Sequence, residues 1–252
     1  MKIVIERHAN AVVKRFWDLV VHHAKSLGHE ILWWDGLFAN LPTIPKEVAM
    51  PPAGDLAIVW NGLGPPDVVK YYEGWKIKGT PICYAEAGWY PQTGNFQVDF
   101  HGINFASSWA GIQIPFVRKT PVVPRNTQDI LVILQVEGDS QLHYFSPWVT
   151  QEAFLRNLGA AAVQTLVIRK HPRRDPSPAL QKVIESLPKW RLDDSPTLSD
   201  ALQRFDVMAT INSSSAVEAL DKKALVLCFG QAVFRQRGAK LKREGRPVEP
   251  LP

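Results

Sequence analysis

The sequence has few cysteines and lacks the usual glycine-rich nucleotide motifs. Only two of the 252 residues are cysteines, and both Cys83 and Cys228 lie in apolar runs that predict strands. Two isolated thiols exclude a cysteine-rich zinc site and a disulfide framework, so we expect structural thiols in a reducing compartment. The motifs GxGxxG and GxxxxGK[ST] are missing, which excludes a standard dinucleotide fingerprint and a P-loop.

The sequence also has no long apolar run. A membrane span needs roughly 18 or more apolar residues, and charges interrupt the first residues where a signal peptide would need an apolar core. We therefore expect a cytoplasmic protein, with peripheral contact at the inner membrane as an option. The nine tryptophans follow no repeat period, which argues against a propeller or solenoid.

Composition and charge are those of a basic globular protein. Hydrophobic residues make up 46% and charged residues 21%, and the formal net charge is +5, which favours anionic partners such as phosphates, nucleic acid or a membrane surface. Most of the excess lies in residues 235–246, with a second cluster at 169–174. The basic tail is either a solvated end or an electrostatic tether.

Strand and helix patterns alternate along the chain and predict an α/β fold. Apolar runs at 2–5, 29–34, 55–60, 80–85, 130–135, 165–168, 207–211 and 224–229 predict strands, and helical spacing connects several of them. Prolines and polar residues mark 118–127 as a linker. We predict an N-terminal Rossmann-like domain (1–117), a linker (118–128), a C-terminal nucleotide-sugar-binding domain (129–236) and a basic tail (237–252).

Two carboxylates follow the strand that opens the second half. Glu137 and Asp139 come directly after it, flanked by Gln135 and Gln141, and the carboxyl ends of strands are where open α/β sheets bind ligands. The alternative is a turn in which Asp139 or Ser140 caps the next helix.

Two further strands of the pattern end in polar residues. Glu86 ends a strand and is followed by a polar segment through residue 108. We expect this segment to lack regular structure, and a loop of that length inside a domain is usually functional. The alternative for Glu86 is a surface carboxylate at a turn. Lys170 and His171 follow another strand and predict a phosphate contact, unless they form only a polar turn.

A serine-rich turn precedes a helix near the C-terminal end of the pattern. Asn212, Ser213, Ser214 and Ser215 follow a strand, and Glu218 lies one turn into the helix. Hydroxyls and N–H groups at a helix start can bind an anion, and Glu218 could reach a ribose hydroxyl. The alternative is serine capping with Glu218 as the capping-box partner.

Four motifs occur in an order that resembles the capsule polysaccharide biosynthesis proteins, the bacterial β-Kdo transferase group of glycosyltransferases. The matching segments are EAGWYPQTGNFQVDFHGINFASS (86–108), LQVEGDSQLHYFSP (134–147), RKHP (169–172), and INSSSAVEAL with GQAVF (211–234). The resemblance spans about residues 55–238, and the ordered set is more specific than any one motif.

The resemblance implies a GT-B fold, with two Rossmann-like domains facing a cleft, and transfer of Kdo or a similar sugar from a CMP-linked donor to a capsule glycolipid or polysaccharide. It implies Glu86 as the acid/base carboxylate and Asp139 as the nucleophile or principal catalytic carboxylate, with Glu137 open as an alternative reactive carboxylate. His171 and residues 213–215 would hold the donor phosphate, and Glu218 the ribose. Two carboxylates suit an oxocarbenium-like transition state. If the product keeps the anomeric configuration of the donor, two displacements through a covalent sugar on Asp139 are the economical hypothesis.

The remaining predicted donor contacts are Gln135, Glu137, Gln141, Lys170 and Asn212. No cofactor beyond the donor substrate is expected, and no metal, because no Asp-x-Asp motif is present. The pair at 193–194 is expected in a loop remote from the other motifs.

Two other functions remain open. A glycosyltransferase of this fold could act on nucleic acid, as in phage-type DNA base modification, which would suit the basic charge. A non-catalytic scaffold could retain the fold and bind nucleotide without turnover.

Overall fold

The computed structural model describes residues 1–7, 11–34, 52–61, 72, 74–88, 95–108, 128–172 and 174–232. The chain divides into two compact units, unit 1 (Met1–Gln113) and unit 2 (Ile114–Pro252). Most of the predicted linker and the whole basic tail lie outside the described residues, so the predicted domain bounds stay a prediction. None of the helices in the described residues has both the length and the apolar character to cross a membrane.

Unit 1 contains a five-stranded sheet in the order β2-β1-β3-β4-β5. Its strands are β1 (Lys2–Glu6), β2 (Glu30–Trp34), β3 (Leu56–Trp60), β4 (Ile82–Ala87) and β5 (Phe96–Asp99). Strand β1 pairs in parallel with both β2 and β3, and β3 pairs in parallel with β4. Strand order reverses between β1 and β3, and such a switch point is where open α/β sheets place ligands.

Helix α1 (Ala11–Ser26) connects β1 to β2 and covers one face of this sheet. Its apolar residues Val13, Phe16 and Trp17 are buried against Ile5 and other sheet residues, as the helical spacing predicts. Gly28, with φ of +75°, allows the chain to turn after the helix because glycine adopts that conformation without strain.

The polar segment after Glu86 is more ordered than the prediction of a long irregular loop. Strand β5 pairs antiparallel with β4, and residues Asn104–Ala106 form a 3-10 turn. Burial would raise the pKa of Asp99, but hydrogen bonds from the Ser108 side chain and from nearby backbone N–H groups outweigh it and lower the pKa. The expectation of an irregular loop was therefore wrong for residues 95–108, because side-chain partners fold this segment back onto the sheet.

Unit 2 contains an all-parallel sheet in the order β10-β9-β6-β7-β8. Its strands are β6 (Asp129–Ile133), β7 (Thr165–Arg169), β8 (Trp190–Leu192), β9 (Val207–Thr210) and β10 (Leu225–Cys228). When the five strands are numbered 1 to 5 along the chain and the sheet is read from β8, the order is 3-2-1-4-5, as in Rossmann-type sheets. The four apolar runs predicted in this half form β6, β7, β9 and β10, because a parallel sheet is covered on both faces.

Helices connect the strands of unit 2. They are α2 (Ser140–Phe145), α3 (Gln151–Ala161), α4 (Pro178–Glu185), α5 (Leu198–Arg204) and α6 (Ser215–Asp221). Side chains cap several of them, including Thr150 before α3, Ser177 before α4 and Thr197 before α5. Both sheets are parallel-rich and Rossmann-like, which confirms the predicted α/β class.

Candidate functional site

The switch point of the unit 2 sheet lies between β6 and β9, and two amide side chains join the segments that follow these strands. Gln135 Nε2 donates to Asn212 Oδ1 at 2.9 Å, and the Asn212 backbone N–H donates to Gln135 Oε1 at 3.2 Å. Both residues are buried. The structure therefore brings together two predicted donor contacts, but their amides are engaged with each other.

A third amide, which the sequence analysis missed, holds the backbone of Gln135. The Gln135 N–H donates to Gln151 Oε1 at 2.7 Å, and Gln151 Nε2 donates to the Gln135 carbonyl at 2.6 Å. The pattern did contain a signal, since Gln151 precedes Phe154 and Leu155 at the spacing of the buried stripe of α3. A buried polar residue at such a position needs partners, and Gln135 supplies them.

The network extends to helix α2. Asn212 Nδ2 donates to the carbonyls of Gln141 and Phe145 at 2.9 and 3.3 Å. A buried network whose members are mutually hydrogen-bonded rigidifies its surroundings. The segment between β6 and α2, which carries both candidate carboxylates, is therefore anchored at both ends.

Glu137 has a structural partner. Its two carboxylate oxygens accept hydrogen bonds from the Ser177 N–H at 2.8 Å and the Ser177 hydroxyl at 2.7 Å. Ser177 is also the N-cap of α4. Glu137 thus links the turn after β6 to the start of α4.

Asp139 is the N-cap of α2 and accepts a hydrogen bond from the Gln141 N–H at 2.9 Å. The capping geometry left open by the sequence is therefore present. Burial raises the pKa of Asp139, while the Gln141 N–H and the charge of His171 act in the opposite direction without cancelling the rise. Perturbed carboxylates at strand ends are frequent in catalytic sites.

A small, open pocket lies beside this turn. Its polar lining includes Gln135, Glu137, His171 and Arg174, and Leu134 and Leu180 supply apolar surface. Gln141 Nε2 is a buried donor without a hydrogen-bond partner among the described residues. Such a group is unusual in a native fold.

The end of β7 corrects one prediction. Arg169 Nη1 hydrogen-bonds Asp193, whose side chain is fully buried, and donates to the Ser195 carbonyl at 3.0 Å. The acidic pair at 193–194 is therefore not remote from the RKHP motif, because β8 returns the chain to the edge beside β7. Lys170 instead forms an exposed pair with Asp175 at 3.3 Å.

The serine-rich turn follows β9, as predicted. Ser214 is the N-cap of α6 without a capping hydrogen bond from its side chain, so the capping-box alternative does not hold. The Ser215 N–H instead donates to Ser213 Oγ at 3.3 Å. Burial raises the pKa of Glu218, and Lys222 and Arg169 lower it in part.

Glu86 is the second-last residue of β4 in unit 1. Its Oε2 accepts a hydrogen bond from Asn61 Nδ2 at 2.9 Å, and its Oε1 accepts one from the Ala87 N–H at 2.9 Å. Asn61 directly follows β3 and was not predicted as a site residue. The residue type was a usable signal, since asparagine after a strand is typical of a left-handed turn.

Comparisons with known proteins give a family and a fold. The family model described as capsule polysaccharide biosynthesis protein matches residues 106–246, more than half of the chain. The solved structure of Thermosulfurimonas dismutans KpsC, a beta Kdo 2,7 transferase, aligns with a TM-score of 0.58 and 14% identity, covering 93% of this chain and 80% of that chain. No curated protein sequence matches. The residues matched by the family model contain three of the four motifs (134–147, 169–172 and 211–234), and the chain belongs to the capsule polysaccharide biosynthesis protein family.

Proposed function

We propose that the protein is a metal-independent glycosyltransferase that moves Kdo, or a similar sugar, from a CMP-linked donor to a glycan or glycolipid acceptor in capsule synthesis. Family membership supports the pathway, and the fold shared with a Kdo transferase supports the reaction class. In this proposal unit 1 is the acceptor half and unit 2 the donor half of a GT-B enzyme. The donor is a substrate, and no other cofactor takes part.

The observation that carries the proposal is the contrast between the two carboxylates after β6. Both oxygens of Glu137 bind Ser177, so Glu137 is occupied in holding the fold together. Burial raises the pKa of Asp139, and the charge of His171 acts on the same carboxylate in the opposite direction. A partly desolvated carboxylate beside a cation suits attack on an electrophilic sugar carbon. We therefore assign the nucleophile to Asp139.

The reaction proceeds in two displacements. An Asp139 carboxylate oxygen bonds to the anomeric carbon of the donor, the bond from that carbon to the phosphate oxygen breaks, and the nucleotide leaves with the electron pair. Glu86 then takes the proton of the acceptor hydroxyl, whose oxygen attacks the same carbon and releases Asp139. Two inversions retain the anomeric configuration.

The donor phosphate is stabilised by positive charge and N–H or hydroxyl donors in place of a metal. His171 and the serine turn supply these groups, with Lys170 nearby, and the buried Gln141 Nε2 gains an acceptor when the donor binds. Glu218 binds the ribose. Turnover is expected to be unchanged in EDTA, and a loss that magnesium restores would contradict the metal-free assignment.

Nucleotide selectivity tests the donor class. The melting temperature is measured separately with CMP, UDP, GDP, ADP and dTDP. A ligand present at a concentration 100 times its dissociation constant raises the free energy of unfolding by about 2.7 kcal/mol. We expect CMP alone to raise it, and His171→Ala to abolish the rise. Stabilisation by a different nucleotide would reject CMP, and no response to any would favour the scaffold alternative.

Trapping the covalent sugar tests the mechanism. The protein is incubated with CMP-Kdo without acceptor, and its intact mass and proteolytic peptides are measured. We expect one added Kdo residue on the peptide that contains Asp139, absent in Asp139→Asn and present in Glu137→Gln, which serves as the matched control. An adduct on Glu137 would reverse the assignment, and wild-type protein without an adduct would refute the covalent mechanism.

A further inference from the structure

A short chain of hydrogen bonds in unit 1 leads from a fully buried carboxylate to Glu86. Glu6 ends β1, Asn61 follows β3, and Glu86 lies near the end of β4. These strands are neighbours in the order β1-β3-β4, so the three residues lie at the same edge of the sheet. The sequence analysis assigned no role to Glu6 or Asn61.

Asn61 has an unusual backbone conformation. Its φ is +67°, a value that few residues other than glycine adopt and that asparagine tolerates better than most. The Asn61 N–H donates to the Ala85 carbonyl at 2.7 Å, which extends the pairing of β3 with β4 by one residue. Glu86 is the next residue after Ala85, so this bond brings the Asn61 side chain beside it.

The residue before Asn61 is held by Glu6. The Trp60 N–H donates to Glu6 Oε2 at 3.1 Å, so a side-chain carboxylate takes the place that a backbone carbonyl of β1 would occupy. Tyr72 Oη donates to Glu6 Oε1 at 3.3 Å. The backbone from which Asn61 projects is therefore anchored to β1 through Trp60 and to β4 through Ala85.

The anchored amide fixes the orientation of Glu86. Asn61 Nδ2 donates to Glu86 Oε2, and the Ala87 N–H donates to Oε1, both at 2.9 Å. Together they set the plane of the carboxylate.

We propose that Asn61 is a positioning residue that orients Glu86 for proton abstraction from the acceptor hydroxyl, with Glu6 anchoring the backbone that carries it. The inference rests on the proposed function, in which Glu86 is the base of the second displacement. It predicts that loss of the Asn61 amide slows only that step. Formation of the sugar–Asp139 bond requires no base and is expected to be unaffected.

The test follows the two half-reactions separately with CMP-Kdo as the probe and water as the acceptor. Rates of appearance and decay of the adduct are measured by quenched-flow mass spectrometry in wild type, Asn61→Gly, Asn61→Asp and Glu86→Gln. Asn61→Gly keeps the left-handed backbone and removes only the amide. We expect its adduct to form at the wild-type rate and to decay about 10- to 100-fold more slowly, the scale of a misplaced catalytic group.

Asn61→Asp gives a readout that a purely structural role would not change. It places a second carboxylate beside Glu86, and like charges at that distance favour protonation of one of them. We expect the acid limb of the pH profile for adduct decay to move upward by about one pH unit or more. Urea unfolding of each variant accompanies the kinetics, and Asn61→Gly carries the test alone if Asn61→Asp does not fold.

The outcomes separate the two proposals. Wild-type decay in Asn61→Gly, together with slow decay in Glu86→Gln, would overturn the positioning role and leave the proposed function intact. Wild-type decay in Glu86→Gln would remove Glu86 as the base, and this inference with it. Absence of any adduct in wild type would overturn both the covalent mechanism and the inference.

Discussion

Glu6 provides a quantitative prediction about unit 1, because it is a fully buried carboxyl group with two hydrogen-bond donors. Burial raises its pKa from 4.5 to about 7, although the Trp60 N–H and Tyr72 hydroxyl act in the opposite direction. Between these two values the folded protein holds a proton that the unfolded chain has released. The contribution of Glu6 to the free energy of unfolding is therefore fully present below about pH 4.5 and is lost as the pH rises towards 7.

The magnitude follows from the difference between the two pKa values of Glu6. At 1.36 kcal/mol per pKa unit, the rise from 4.5 to about 7 corresponds to a loss of about 3 kcal/mol over this range. Urea unfolding is measured for wild type and Glu6→Gln between pH 4.5 and 8. Because glutamine does not titrate, the difference between the two free energies isolates the contribution of Glu6.

We expect the stability of wild type relative to Glu6→Gln to fall by about 3 kcal/mol across this range. Glu30→Gln replaces an exposed glutamate of the neighbouring strand β2 and controls for the change in net charge. A difference that is independent of pH, or that grows as the pH rises, would refute the reasoning. Carboxyl-detected NMR titration of Glu6 measures the same pKa directly.

Two predictions concern the stability of unit 2, measured by urea unfolding. Gln151→Met removes both hydrogen-bond partners of the Gln135 backbone, and we expect it to lower the free energy of unfolding by about 2–4 kcal/mol. The control Asn157→Met, on the exposed side of α3, is expected to change it by about 0.5 kcal/mol or less. Equal effects of the two substitutions would show that the amide network is not needed. Arg169→Met removes the nearer of two cations at the buried Asp193 carboxylate and leaves Arg204 at 4.0 Å, so we expect it to cost about 2–3 kcal/mol, less than for a buried charge left with no cation. Lys170→Met, in an exposed pair, is expected to cost about 1 kcal/mol or less, and equal losses in the two variants would refute the need for Arg169 at this carboxylate.

Much of the fold of unit 2 could be predicted because its parallel strands are buried on both faces and form continuous apolar runs. The runs before Asp139, His171 and Ser213 became β6, β7 and β9. Since the carboxyl ends of parallel strands share one edge, the sequence also predicted that these polar residues lie on the same side of the sheet. Their sequence positions alone therefore located the candidate site.

The partners within the site could not be predicted, because they depend on pairings between distant residues. Arg169 and Asp193 meet only because β8 lies beside β7, and Gln151 reaches Gln135 only because α3 packs beneath the end of β6. Glu6 carried no sequence signal at all, since a charged residue at a strand end is usually solvated. Its burial follows from tertiary packing around Tyr72.

The two switch points suggest how such sheets separate support from chemistry. At each point a backbone ladder ends, and a buried polar side chain replaces the missing backbone partner: Glu6 accepts the Trp60 N–H in unit 1, and Gln135 accepts the Asn212 N–H in unit 2. These supporting groups are buried and spend their hydrogen-bonding capacity within the protein. Asn61, the proposed positioning residue, directly follows Trp60, and Asp139, the proposed nucleophile, lies in the turn that follows Gln135. Substitution of a supporting group should therefore reduce stability and activity together, whereas substitution of a later residue should reduce activity with little loss of stability.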